Sequence, residues 1–151
     1  MSQSAIGNKM ITQIGILVHD IEAVSKAYAD FFGVDTPEWF WTDTPDKAQT
    51  EYLGEPSQAR AKLAFFNMDS VQLELIEPDS HPSTWRNHLN EHGEGPHHIA
   101  FVIEGMKEKI AIMEGKGMKL QQKGEYTGGR YAYLDSVPQL KILVELLEND
   151  R

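Results

Sequence analysis

Apolar side chains recur at every second position through Ile14, Ile16 and Val18, with Gln13, Gly15 and Leu17 between them, the signature of a strand with two distinct faces. Asp20 then offers an N-cap and Glu22 suits the positive end of a helix. Ile21, Val24, Tyr28 and Phe31 repeat at helical spacing as an expected inward face, until Gly33 stops the element. From Trp39 the rhythm shortens to β segments at 39–42, 61–68 and 71–77, separated by Asp43-Thr44-Pro45-Asp46, Leu53-Gly54-Glu55-Pro56 and Asp69-Ser70. The order is βαβββ.

The plan then repeats. Pro78 to Gly95 reads as a connector in which Pro82 opens a helix carrying Trp85 and Leu89 on one face. Beyond it come a strand at 97–103, a helix at 106–116 with Met106, Ile110 and Met113 inward and Gly117 as its stop, and strands near 119–122, 131–135 and 141–148. We expect one α+β domain over 9–148, built from module 1 (9–78), a helical connector (79–95) and module 2 (96–148).

The two copies align. Thr12 to Val18 matches His97 to Ile103 at an offset of 85, and Leu73-Glu74-Leu75-Ile76-Glu77 matches Val144-Glu145-Leu146-Leu147-Glu148 at an offset of 71. Equivalent positions that break the apolar rule are Gln13 and His98 in the opening strands, Glu74 and Glu145 in the closing ones. An acid in mid-strand needs a reason, and all four side chains can offer lone pairs to a metal ion. Gln13 and His98 are each followed on their own face by a small residue, Gly15 and Ala100, which leaves room beside the donors.

Composition removes several classes. The net charge of -9, from 23 acidic and 14 basic side chains without a basic run, disfavours nucleic acid; Arg60, Lys62, Lys119, Lys123 and Arg130 are scattered. The absence of cysteine excludes disulfides, thiolate metal sites and a catalytic thiol. No apolar run is long enough for a membrane span or a signal sequence, so a cytoplasmic protein is expected.

Ile14-Gly15-Ile16, the stretch Gly93-Glu94-Gly95-Pro96-His97-His98-Ile99-Ala100-Phe101 and Val144-Glu145-Leu146 make the chain resemble the vicinal oxygen chelate superfamily from Ile11 to Glu148. That group includes glyoxalase I (lactoylglutathione lyase), methylmalonyl-CoA epimerase, extradiol dioxygenases and the bleomycin-resistance proteins. The resemblance implies two tandem βαβββ modules curled into a cupped, partly open eight-stranded sheet. It also implies a homodimer and metal ligands at Gln13, Glu74, His98 and Glu145.

The Gly-Glu-Gly-Pro-His-His-Ile-Ala-Phe stretch is similar to methylmalonyl-CoA epimerase, which carries histidine where this chain has Gln13. A glutamine, glutamate, histidine, glutamate set resembles zinc-type glyoxalase I. The epimerase's second catalytic acid finds no counterpart around Gln58 to Leu63, where Arg60 and Lys62 stand instead.

One imidazole, one amide oxygen and two carboxylates suit a single divalent ion of the Zn, Ni, Co, Mn or Mg type, with coordination positions left open. The expected activity is that of a metal-dependent lyase or isomerase which abstracts a proton next to a thioester or thiohemiacetal carbonyl. Glu145 is the preferred base and Glu74 the other candidate. The substrate is then a small molecule, a thiol conjugate or an acyl-CoA.

A metal-free module that sequesters a small molecule is the rival reading from another class. An iron ring-cleaving dioxygenase would want a second histidine where Gln13 stands. His88 and His92, four apart on the connector helix, form a rival metal pair, and the simpler reading leaves them solvated. His97 reads as a flank of its strand. Trp39, Trp41, Tyr131 and Tyr133 read as core or dimer packing ahead of substrate contact, and Arg130 as an exposed turn residue ahead of a holder of a substrate carboxylate.

Overall fold

A computed structural model of the chain describes residues 4–151. β1 (Gln13–Leu17) leads into α1 (Ile21–Phe32), whose start is capped by the Asp20 carboxylate accepting from the Ala23 amide at 3.1 Å and whose end is Gly33 in the left-handed region. β2 (Phe40–Trp41), a single-turn α2 (Pro45–Ala48), β3 (Glu51–Tyr52), β4 (Glu55–Pro56), β5 (Ala61–Asn67) and β6 (Gln72–Pro78) complete the first half. The connector helix α3 (Thr84–His92) is capped by Ser83, so Pro82 stands two residues before its first helical position rather than at it. β7 (Gly95–Val102), α4 (Met106–Gly115), β8 (Leu120–Tyr126), β9 (Gly129–Leu134), a short α5 (Val137–Leu140) and β10 (Leu143–Asn149) follow.

The strands form one curled, open sheet, a half-barrel in the order β2-β5-β6-β1-β7-β10-β9-β8-β3-β4. β1 and β7 lie antiparallel at its centre, each flanked by the parallel closing strand of its own half, β6 beside β1 and β10 beside β7. The sheet has ten strands where eight were expected, because β3 and β4 form a hairpin across Leu53 and Gly54. Both turn residues have positive φ, as a tight two-residue hairpin turn demands. The hairpin leaves its own half and pairs with β8, joining Glu51 to Lys123 and Tyr52 to Gln122.

α1 and α4 cover the outer face of their own halves. Val18, Ile21, Ala29, Ala64, Phe66 and Leu75 form the core under α1, with Ile16, Val24, Tyr28 and Phe32 against it. Phe31 does not join them: it is 81% exposed, and Phe32, one turn on from Tyr28 and stacked on it at 5.7 Å, takes the inward place. Spacings of three and four residues both fit the helical period, and the backbone rotation favours the second here. Ile103, Met106, Met113, Val144 and Leu146 make the matching core under α4, with Ile99, Phe101 and Ile110 packed on it. Leu17, the residue between the helix-facing Ile16 and Val18, turns the other way to meet Ile76, Trp85, Leu89 and Tyr133. No helix among the described residues is long and apolar enough to cross a membrane.

Candidate metal centre

Four adjacent strands, β6-β1-β7-β10, each bring one of the four candidate donors to the sheet's concave face. Gly15 is the Cα partner of both Glu74 and His98, and Ala100 is the partner of both Gln13 and Glu145. The two small residues therefore stand between the donors. A Cβ built on Gly15 would lie 2.0 Å from Cε1 of His98, so the space this glycine leaves is taken by the imidazole itself rather than by a ligand. The expectation of spare room beside Gln13 is corrected accordingly.

All four side chains are buried. Nε2 of His98 lies 2.9 Å from Oε1 of Gln13, 3.1 Å from Oε1 of Glu145 and 3.4 Å from Oε1 of Glu74. The orientation of the Gln13 amide is settled from behind, since its Nε2 donates to Oε1 of Gln72 at 2.7 Å and Gln72 donates in turn to Asn67. That leaves the Gln13 oxygen facing the cluster. Glu74, His98 and Glu145 offer ligand atoms within 4.8 Å of one another, the one such group of three among the described residues. His88 and His92 stay a pair, ring centroids 4.7 Å apart, with no third donor.

Oε1 of Glu74 and Oε1 of Glu145 are buried without a hydrogen-bond partner, and Nε2 of His98, with at most one proton, cannot serve all three oxygens around it. A buried charged oxygen left without a partner costs about 1–3 kcal/mol or more. Two orphaned carboxylate oxygens aimed at one imidazole nitrogen are a donor set that a divalent cation would satisfy and that hydrogen bonding inside the protein does not.

The protons respond to this crowding. Burial pushes the Glu74 carboxyl up and the neighbouring His98 pulls it back only in part. Burial alone would push His98 down, but the Glu145 and Glu74 carboxylates outweigh it and hold the imidazolium up to about 9. His97 behaves oppositely, held well below its usual value by burial and by the charge on His98 and His88.

A cavity of about 460 Å³ opens beside the cluster. Its wall contains Gln13, Glu74 and Glu145 together with Phe40, Trp41, Phe65, Trp85, Tyr131 and Tyr133. Tyr131 and Tyr133 pack with Trp85 in the core, as read from sequence, and also line the cavity, as Trp41 does, whereas Trp39 lies outside it against the core under α1. Asp43 and Glu125 also reach the wall, and no lysine or arginine does.

Four of the five scattered cations are engaged elsewhere, and Lys119 does not line the cavity. Arg60 donates to the Thr42 carbonyl, Lys62 sits over the Trp39 ring and pairs with Glu77, and Lys123 pairs with Glu51. Arg130 lies within β9 rather than in a turn, and Glu125, Glu148 and Asp150 hold it.

His97 was read as a flank and is instead fully buried inside β7. The β1–β7 register skips it between Gly15 and Ile16, a bulge that turns His97 and His98 toward each other, Nδ1 to Nδ1 at 2.9 Å. Gly95-Pro96 just ahead of the doublet was the available sign of an irregular strand. Gln72 was missed although it shares its face with Glu74 two residues on.

A curled sheet of repeated halves with a carboxylate–histidine cluster on its concave face defines a class of protein, and the chain belongs to the Glyoxalase/Bleomycin resistance protein/Dioxygenase superfamily, whose profile matches residues 12–133. It is 31% identical to Uncharacterized protein YqjC of Bacillus subtilis (strain 168) over 94 residues, 60% of this chain and 67% of that one. Among solved structures it is similar to methylmalonyl-CoA epimerase from Mycobacterium tuberculosis, with 18% identity, TM-score 0.63 and coverage of 100% and 93% of the two chains. It also resembles a methylmalonyl-CoA epimerase in complex with methylmalonyl-CoA and NH4+, with 25% identity, TM-score 0.61 and coverage of 93% and 94%.

Proposed function

We infer that this chain is a metal-dependent enzyme that removes and returns the proton on the carbon next to a thioester carbonyl, with an acyl-CoA of the methylmalonyl type as first candidate substrate. The observation that carries this reading is the pair of orphaned oxygens, Glu74 Oε1 and Glu145 Oε1, converging on His98 Nε2 at the wall of a cavity. The likeness to methylmalonyl-CoA epimerases supports the acyl-CoA form.

Gln13, Glu74, His98 and Glu145 would hold the ion, two carboxylates balancing its charge. A divalent cation there supplies Lewis acidity that stabilises an enolate oxygen. Glu145, loosened from the ion, would take the proton as the C–H bond breaks and its electron pair moves toward the carbonyl oxygen. Glu74 is the other candidate for moving that proton. Phe40, Trp41, Phe65 and Trp85 give the cavity an aromatic wall facing the reacting end of a substrate.

A specific observation favours a second substrate. The cavity wall lacks a cation and carries Asp43 and Glu125, which suits a reacting end without a free carboxylate, such as the thiohemiacetal of a glyoxalase I reaction. Incubating metal-loaded protein in heavy water with methylmalonyl-CoA, and separately with methylglyoxal and glutathione, decides between them. Deuterium entering the carbon next to the thioester supports the first form and lactoyl thioester formation the second. Inactivity of the metal-loaded chain in both arms would exclude these two substrates, and purified protein that holds no divalent ion would favour a metal-free binding module of the same fold.

A further inference from the structure

His98 turns Nε2 toward Gln13, Glu74 and Glu145, and its other ring nitrogen, Nδ1, faces Nδ1 of His97 at 2.9 Å. Only one proton fits between two nitrogens at that distance. A histidine that binds a cation through Nε2 must keep its proton on Nδ1, so the Nδ1 of His97 has to accept. His97 then carries its own proton on Nε2, 3.2 Å from Oγ1 of Thr84, and the Thr84 hydroxyl passes its hydrogen to Oε1 of Gln121.

Thr84 itself is pinned, because its backbone N–H donates to Oε1 of Gln122 at 2.8 Å. Every donor in the series has one acceptor and one direction. Packing holds the ring in place: Tyr133 and His88 stand with ring centroids 5.1 and 5.3 Å from it, and no surface of His97 is exposed.

We propose that His97 is a positioning residue of the metal centre: with Thr84 and Gln121 behind it, His97 accepts the Nδ1 proton of His98 and so keeps the Nε2 lone pair of His98 aimed at the other three donors. The proposal rests on reading those donors as a metal centre. Its chemical content is the choice of acceptor. A carboxylate behind His98 would add a third negative charge beside Glu74 and Glu145, whereas a neutral imidazole fixes the tautomer and leaves the two carboxylates to balance a divalent ion.

Nitrogen-15 NMR of the histidine rings tests the assignment, in metal-free protein and after zinc addition. The expected result is a proton on Nδ1 of His98 and on Nε2 of His97 in both states; a proton on Nδ1 of His97 overturns it. Zinc affinity, measured by competition with a chromophoric chelator, supplies the second readout. His97→Phe should weaken binding by about 10–100-fold, and His97→Asn, which returns an acceptor near the Nδ1 position, should restore it to within about threefold.

Thr84→Val leaves the His97 ring in place but unanchored, and should weaken zinc binding less than His97→Phe does. It keeps the test open if the His97 variants misfold. The cobalt(II) absorption spectrum should shift in His97→Phe and recover in His97→Asn. Parental affinity in both His97→Phe and Thr84→Val, or His97→Asn as weak as His97→Phe, would overturn the proposal. A parent protein that binds no divalent ion would defeat the metal-centre reading instead, and the ring protonation of the metal-free protein would still decide the part assigned to His97.

Discussion

The two halves of the molecule use the same strand positions for different ends of one task. Their closing strands are alike: Glu74 and Glu145 face the cluster, while Glu77 and Glu148, three residues on, turn to the other face and cap their helices. Oε1 of Glu77 accepts from the Ile21 amide at 2.9 Å, and Oε2 of Glu148 from the Gly105 and Met106 amides at 2.7 and 3.2 Å. The opening strands differ. The first supplies an amide oxygen, Gln13, held by a glutamine behind it; the second supplies an imidazole, His98, held by a histidine behind it. A duplicated scaffold thus keeps its carboxylate positions symmetric and lets the opening-strand pair diverge into an amide and an imidazole.

The strongest way to break that comparison is to separate the two carboxylates. If Glu145 is the base, Glu145→Gln should slow solvent deuterium exchange into substrate by about 10²–10⁴-fold. Glu74→Gln should keep measurable exchange while losing net turnover. Equal retention of exchange by both variants would remove Glu145 from its role. Gly15→Ala probes the opening strands next, because the new Cβ would lie 2.0 Å from a fully buried His98 ring. A cost of about 1–3 kcal/mol in unfolding free energy is expected, with weakened metal binding. Ala100→Gly, at the equivalent position, should leave His98 in place.

The proton equilibria sharpen the contrast between the neighbouring imidazoles. His98 is held up to about 9 against an ordinary 6.5, so in metal-free protein its contribution to stability is complete below about pH 6.5 and is lost as pH rises toward 9. His97, depressed, contributes in the opposite sense and loses stability as pH falls below 6.5. The melting temperature of metal-free protein should therefore decline on the alkaline side from neutral pH to 9. A divalent ion competes with the His98 proton, so its affinity should rise across the same window. A melting temperature that climbs steadily from pH 6.5 to 9 would contradict the charge assigned to His98. The smallest effects belong to the matched caps: Glu77→Gln and Glu148→Gln should each cost about 1 kcal/mol in chemical denaturation. A large difference between them would deny the symmetry of the closing strands.

Much of this arrangement was legible in the chain before any coordinates. Gln13, Glu74, His98 and Glu145 stood out because a polar side chain in mid-strand violates the apolar alternation, and a repeat that violates it four times at equivalent places points to one location. His97 was not legible, since strict alternation would send it to the opposite face from His98, and only the bulge brings the two rings together. Asp43, Glu125 and the aromatic wall were not legible either. They reach the cavity from separate strands and loops of both halves, a long-range convergence that local patterning does not encode. Phe31 shows the same limit within one helix, where two spacings satisfied the period and packing chose between them.

The central claim is that four strands deliver their donors to one cation. A crystal structure of the zinc-loaded chain, read by anomalous scattering at the zinc edge, tests it most directly. One peak is predicted about 2.0–2.2 Å from His98 Nε2 and from oxygens of Glu74, Glu145 and Gln13. A peak at His88 and His92 with none among these four side chains would contradict it.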